Sequence, residues 1–211
     1  MTAPLSRRDL LRNAAASVAA LMLPATRVGP GRAGPEDPDH ERLAAWSAAL
    51  RSQGLSRPGV PFGPAVVRVG ELAAGTPYQP ATLEAYLRAG GSPTRTEPLT
   101  LSLTRFDCVT LVESCLAVAR VACDEGAPTW IRFGRAIERM RYRGGRRRGY
   151  ASRLHYFSEW IADGQERGLV SDRGAELGGM EDARPLRFMT GHRGSYPALA
   201  DDGVFRQIQA I

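Results

Sequence analysis

The chain contains no lysine, only three histidines and only three cysteines in 211 residues. Its formal charge of +6 is therefore carried by arginine alone. Together with abundant alanine and glycine, that bias fits a GC-rich coding sequence, so the positive charge is not by itself a nucleic-acid signal, and no recognition-module pattern accompanies it. The cysteines exclude a disulfide framework. Cys108 and Cys115 stand two turns apart on one predicted helix, roughly 10 Å by helical rise, which is too far to bridge. No CxxC pair or Cys/His cluster at metal-ligand spacing occurs, so no metal or cofactor is expected and the cysteines read as free thiols. No internal repeat is visible. No apolar run reaches the length of a membrane span.

What is present begins with an address. Ser6-Arg7-Arg8-Asp9-Leu10-Leu11 precedes a modest apolar run from Ala14 to Leu23, the pattern of a twin-arginine export signal over residues 1–25. Residues 26–38, rich in Gly and Pro, read as a linker. A domain spanning 39–211 follows. The export signal places the protein in the periplasm or cell envelope, without a membrane span once the signal is removed.

Within that domain, Asp39 to Arg51 reads as a helix with Leu43, Trp46 and Leu50 on one face, and Ala65 to Ala73 as a second. Gly75-Thr76-Pro77-Tyr78 is a turn. Leu99-Thr100-Leu101-Ser102-Leu103 alternates apolar and polar, which predicts a half-buried strand. Trp130, Phe133, Ile137 and Met140 mark another helix. Ser152 is the expected N-cap of a helix carrying Leu154, Phe157, Trp160 and Ile161.

Phe106-Asp107-Cys108-Val109-Thr110 is the most informative stretch, because it places a thiol in the first turn of a strongly apolar helix. Unpaired N–H groups and the positive end of the helix dipole favour a thiolate there, while Asp107, as N-cap, opposes that field. Two readings of Cys108 stay open: nucleophile or small buried hydrophobe. His155 likewise reads either as a structural or substrate-contact residue or as a general base. His192 is a weaker candidate. Arg141 and Arg143, interleaved with Tyr142, could clamp a carboxylate bidentately, whereas Arg146 to Arg148 read as a solvated run.

Taken in order, Gly75-Thr76-Pro77-Tyr78, Phe106 to Glu113, Arg141-Tyr142-Arg143-Gly144-Gly145 and Arg153 to Trp160 resemble the bacterial N-acetylmuramoyl-L-alanine amidase-like branch of the NlpC-type papain-like cysteine hydrolases. The resemblance runs from about Leu72 to the C-terminus. It implies an α+β papain-like fold and hydrolysis of an amide bond in peptidoglycan fragments, with muropeptides as partners and no nucleic acid. It implies Cys108 as nucleophile and places Tyr78 near the site; His155 stands beside them as the base this chain offers, and Asp107, Arg141, Arg143, Arg153 and Tyr156 join Tyr78 as expected substrate contacts. The base of that superfamily is expected on a strand, in a His-x-Gly context that does not occur here. The chain also stops within an apolar helical pattern of Phe205, Ile208 and Ile211. The expectation is a truncated domain, chiefly its helical N-terminal part, with the catalytic sheet largely missing and activity lost. The alternative is a non-catalytic muropeptide-binding module.

Overall fold

A computed structural model describes residues 37–180 and 184–211. The expected export signal and all but the last two residues of the expected linker lie outside them. The domain is built from helices, in the order α1 (Pro38–Ser52), α2 (Phe62–Leu72), α3 (Ala85–Arg88), α4 (Cys108–Cys123), α5 (Trp130–Arg141), α6 (Phe157–Glu166), α7 (Phe188–Gly191) and α8 (Asp202–Gln209), with short 3-10 turns before α3, between α5 and α6, and between α7 and α8.

Helix α4 is the axis. Its Cys115, Ala117, Val118, Ala119, Val121 and Ala122 are all buried, so it is apolar nearly all round, as a central helix must be. The alanines let α1, α2 and α5 approach it closely. Those helices contribute Leu43, Trp46 and Leu50 from α1, Ala65 and Val69 from α2, and Phe133, Ile137 and Met140 from α5. Each large side chain removed from water contributes about 1.5–3 kcal/mol. A second, smaller core joins Tyr150, Ala151, Met189, Ala198, Leu199, Val204 and Ile208.

The α+β papain-like expectation is not met. Among the described residues the only β pairing is two isolated bridges, Tyr78 with Phe106 and Tyr142 with Arg153. Leu99 to Leu103 shows why the alternation misled. Leu99 and Leu101 do pack on the core, and Leu103 is fully buried, but the backbone finds side chains rather than a neighbouring strand. Asp39 Oδ1 accepts from Leu103 N at 2.7 Å, Arg42 Nη1 donates to Leu103 O at 2.9 Å, and Arg141 Nη1 donates to Thr100 O at 2.7 Å. Gly134 lets the segment lie close on α5, since a β-carbon there would sit 3.2 Å from Leu101 Cδ1. Burial period was legible; a pairing partner was not.

The helix expected from Ser152 starts five residues later. Tyr150–Ser152 is a 3-10 turn, and Arg153 continues extended to meet Tyr142, with Leu154 N donating to Arg141 O at 2.9 Å. Ser152 Oγ instead accepts from Arg148 N and donates to Gly149 O. No helix among the described residues is long and apolar enough to cross a membrane.

Candidate active site

Cys108 is the first residue of α4 and is exposed. Asp107 caps the helix in a reciprocal box: its Oδ1 accepts from Thr110 N at 2.8 Å, and Thr110 Oγ1 accepts from Asp107 N at 2.9 Å. Thr82 Oγ1 donates to the other carboxylate oxygen at 2.9 Å. Burial alone would raise the Asp107 pKa; the bonds from Thr110 and Thr82 outweigh it and hold the carboxyl below its ordinary value. Asp107 is therefore a committed cap, with both oxygens engaged.

The Gly75-Thr76-Pro77-Tyr78 turn lies beside this helix start. Phe106 N donates to Pro77 O at 3.1 Å and Gln79 N to Phe106 O at 2.8 Å. Gly75 takes φ +80°, a left-handed value that favours glycine. Tyr78 is 70% exposed, so the two sequence motifs present a free thiol and a free phenol ring on one stretch of surface.

The other two motifs pair with each other through the Tyr142–Arg153 bridge. Arg141 and Arg153 point inward, while Arg143 stays partly exposed. Arg141 Nε donates to Glu113 Oε2 at 2.8 Å, both residues being almost wholly buried, so its carboxylate partner is internal. Arg153 donates from Nη2 to Glu84 Oε1 at 2.5 Å, places Nε 3.2 Å from Glu97 Oε1, and lies over the Tyr150 ring at 4.9 Å. Burial opposes its charge, and Glu97 and Glu84 more than offset that. Glu97 also accepts from the Tyr142 hydroxyl at 3.0 Å. Arg143 donates to Ala151 O at 2.8 Å and pairs with Glu159. The tight exit behind it needs both glycines, with Gly144 at φ +58° and Gly145 at φ +70°. Tyr156 Oη accepts from Met189 N at 3.0 Å.

His155 lies in the extended segment before α6. Its Nε2 meets Tyr150 O at 2.9 Å and its ring stacks on Tyr150 at 4.4 Å. A carbonyl oxygen only accepts, so Nε2 carries the proton and the lone pair of the neutral ring is on Nδ1. Burial first, then the charges of Arg153 and Arg143, push the imidazole well below its ordinary pKa. His192 Nδ1 meets Phe188 O at 2.8 Å on an exposed turn.

A cavity of about 240 Å³ lies between the start of α4, the 150–156 segment and α7, with Val109, Glu113, Arg153, His155, Tyr156 and Met189 in its wall. Cys108 does not line it. Glu84, Glu97, Glu113 and Tyr150 were not predicted from sequence; the one available signal was Glu113, an acid inside an apolar helical run, which a buried partner must answer. Among the described residues no group of three or more His, Cys, Asp or Glu is arranged to hold a metal.

These features define a helical protein built around a cysteine-headed central helix. Over residues 68–211 the chain matches the AmiA-like, N-acetylmuramoyl-L-alanine amidase-like family, and it belongs to that family. Among solved structures, an N-acetylmuramoyl-L-alanine amidase from Bacteroides uniformis is similar with a TM-score of 0.58 and 28% identity, over 69% of this chain and 57% of that one. A second crystal structure of a B. uniformis protein of that name gives 0.56 and 31%, over 69% and 58%. A Bacteroides fragilis protein carrying a provisional xylanase name gives 0.56 and 33%, over 66% and 57%. The chain thus spans less than two thirds of the length of these proteins. No curated protein matches it significantly.

Proposed function

We propose that this chain is an amidase-like hydrolase of peptidoglycan fragments with Cys108 as its nucleophile. The observation that carries this reading is an exposed thiol at the first position of the central helix, beside the exposed Tyr78. In the reaction, Sγ attacks the amide carbonyl carbon and the C–N bond breaks. The amine leaves with a proton returned by the base, and water hydrolyses the thioester. The N–H groups of Cys108 and Val109, which precede the capped Thr110 and have no helical carbonyl to bond, suit the developing oxyanion. The twin-arginine leader fits delivery to the envelope, where such a substrate lies.

His155 is the available base, through Nδ1. Burial and the charges of Arg153 and Arg143 oppose the proton that a general base must take up, so this chain turns over muropeptides slowly or not at all. The expected result with the purified chain is no release of amine above a Cys108→Ser background, while iodoacetamide alkylates Cys108 ahead of the other thiols. Burial raises the pKa of Cys115 to about 11, and burial with Asp124 raises that of Cys123. Robust turnover lost in both Cys108→Ser and His155→Ala would keep the nucleophile and overturn the weak-activity reading. Turnover that survives Cys108→Ser would sink the nucleophile. The same resistance of His155 to protonation favours a second reading, a non-catalytic muropeptide-binding module; retention of muropeptides by Cys108→Ser without turnover in the wild type would select it.

A further inference from the structure

The cavity behind α4 is a polar chamber with an unanswered charge. Glu113 is 1% exposed, and while its Oε2 holds Arg141, its Oε1 has no hydrogen-bond partner. Glu84 has Oε1 on Arg153, and its carboxylate neighbours the Tyr150 hydroxyl, a donor on the wall that can turn to its Oε2. Both residues line the cavity. Around and beneath it three carboxylates, Glu84, Glu97 and Glu113, face two guanidiniums, Arg141 and Arg153. Arg143 and Arg147 are paired elsewhere, with Glu159 and Glu138. With all three ionised one negative charge is in excess, against the burial that raises Glu97 and Glu113, and the free Oε1 of Glu113 on the wall is an acceptor. His155 in the wall is held neutral and adds no positive charge, and Asp107 lies near enough to Glu113 to add to the negative field there.

Tyr150, Tyr156, Phe188 and Tyr196 add aromatic surface, aliphatic side chains such as Leu83 and Met189 lie between them, and Arg141 and Arg153, both paired with the carboxylates, also line the wall. Phe188 is 63% exposed, which puts it at the mouth. A buried carboxylate oxygen without a donor, near aromatic faces, is a setting that recognises an organic cation. About 240 Å³ exceeds the roughly 30 Å³ share of one water and has room for a small organic group. The absence of a three-ligand His/Cys/Asp/Glu group among the described residues argues against a metal ion as occupant.

We propose that this cavity is a binding site for a primary ammonium group carried on a small apolar or aromatic body, with Glu113 Oε1 as its acceptor. The proposal does not depend on Cys108 being a nucleophile.

Benzylammonium and benzyl alcohol share a shape and differ in charge, so titration of the full chain with each, followed by ligand-observed NMR at pH 7, tests it directly. Benzylammonium binds at least tenfold tighter than benzyl alcohol. Glu113→Gln, which keeps the shape and removes the charge, lowers benzylammonium affinity at least tenfold and leaves benzyl alcohol unchanged. Val109→Phe, which fills the chamber from the first turn of α4, abolishes binding of both, and supplies the test should Glu113→Gln fail to fold. Equal binding of the two compounds would make the chamber merely apolar and overturn the proposal. Absence of benzylammonium binding, or binding unaffected by Val109→Phe, would overturn it as well.

Discussion

His155 shows how a single side chain is committed by its surroundings. Tyr150 O fixes the proton on Nε2, and burial with Arg153 and Arg143 opposes a second proton. The unfolded chain takes up that proton below about pH 6.5, and the folded chain does not. Its contribution to stability is therefore complete above that pH and is lost as pH falls through it. Glu97 and Glu113 act in the opposite sense, because burial raises them and their protonation favours the folded state. A variant comparison separates the two effects. His155→Gln places an amide donor where Nε2 stands without a titrating group, so its urea midpoint falls less between pH 7 and pH 5 than that of the wild type. Equal slopes in the two proteins would assign the acid sensitivity to other groups.

At the scale of elements, α4 depends on the cap at Asp107. Asp107→Ala removes acceptors from Thr110 N and Thr82 Oγ1 and costs about 1 kcal/mol, while Asp107→Asn retains most of it; urea unfolding of both variants checks the difference. The cap, the cysteine position and the apolar faces of α1 and α5 were legible because each is written within a few residues. Trp130, Phe133, Ile137 and Met140 repeat at helical spacing, and α5 spans Trp130–Arg141. Failures came where a distant residue decides. The Leu99 to Leu103 alternation correctly marks a half-buried segment, yet its bonds go to Asp39, Arg42 and Arg141, on two different helices. Ser152 has the chemistry of a cap, but the demand of Glu84 and Glu97 for Arg153 holds the chain extended past it. Arg141 and Arg143 look alike in sequence and differ in the fold, since one is sealed against Glu113 and the other stays partly exposed beside Glu159.

At the scale of the whole molecule, buried charge ties the two cores together. Arg141 and Glu113 lie in the wall of the large core, while Arg153, Glu84 and Tyr150 border the small one. Removing one partner from a buried pair leaves the other unanswered and costs about 3–5 kcal/mol; replacing both by apolar groups is often near neutral. Arg141→Met is accordingly expected to lose about that much, and Arg141→Met combined with Glu113→Leu to recover a large part of it. Chemical denaturation of the two single variants and the double variant completes the cycle. Additive losses would show that the pair acts through its separate contacts.

The grip of α1 on the extended segment bears on where this protein can be cut. Asp39 and Arg42 hold Leu103, and Arg42 Nη1 also donates to Thr76 Oγ1 at 2.9 Å, so one helix turn steadies both the tyrosine turn and the approach to Cys108. Those two residues precede the family-matched stretch, which starts at 68. The portion of chain that carries the shared sequence is therefore smaller than the portion that folds. A fragment trimmed to the matched boundary would keep every motif and lose the splint that sets two of them side by side.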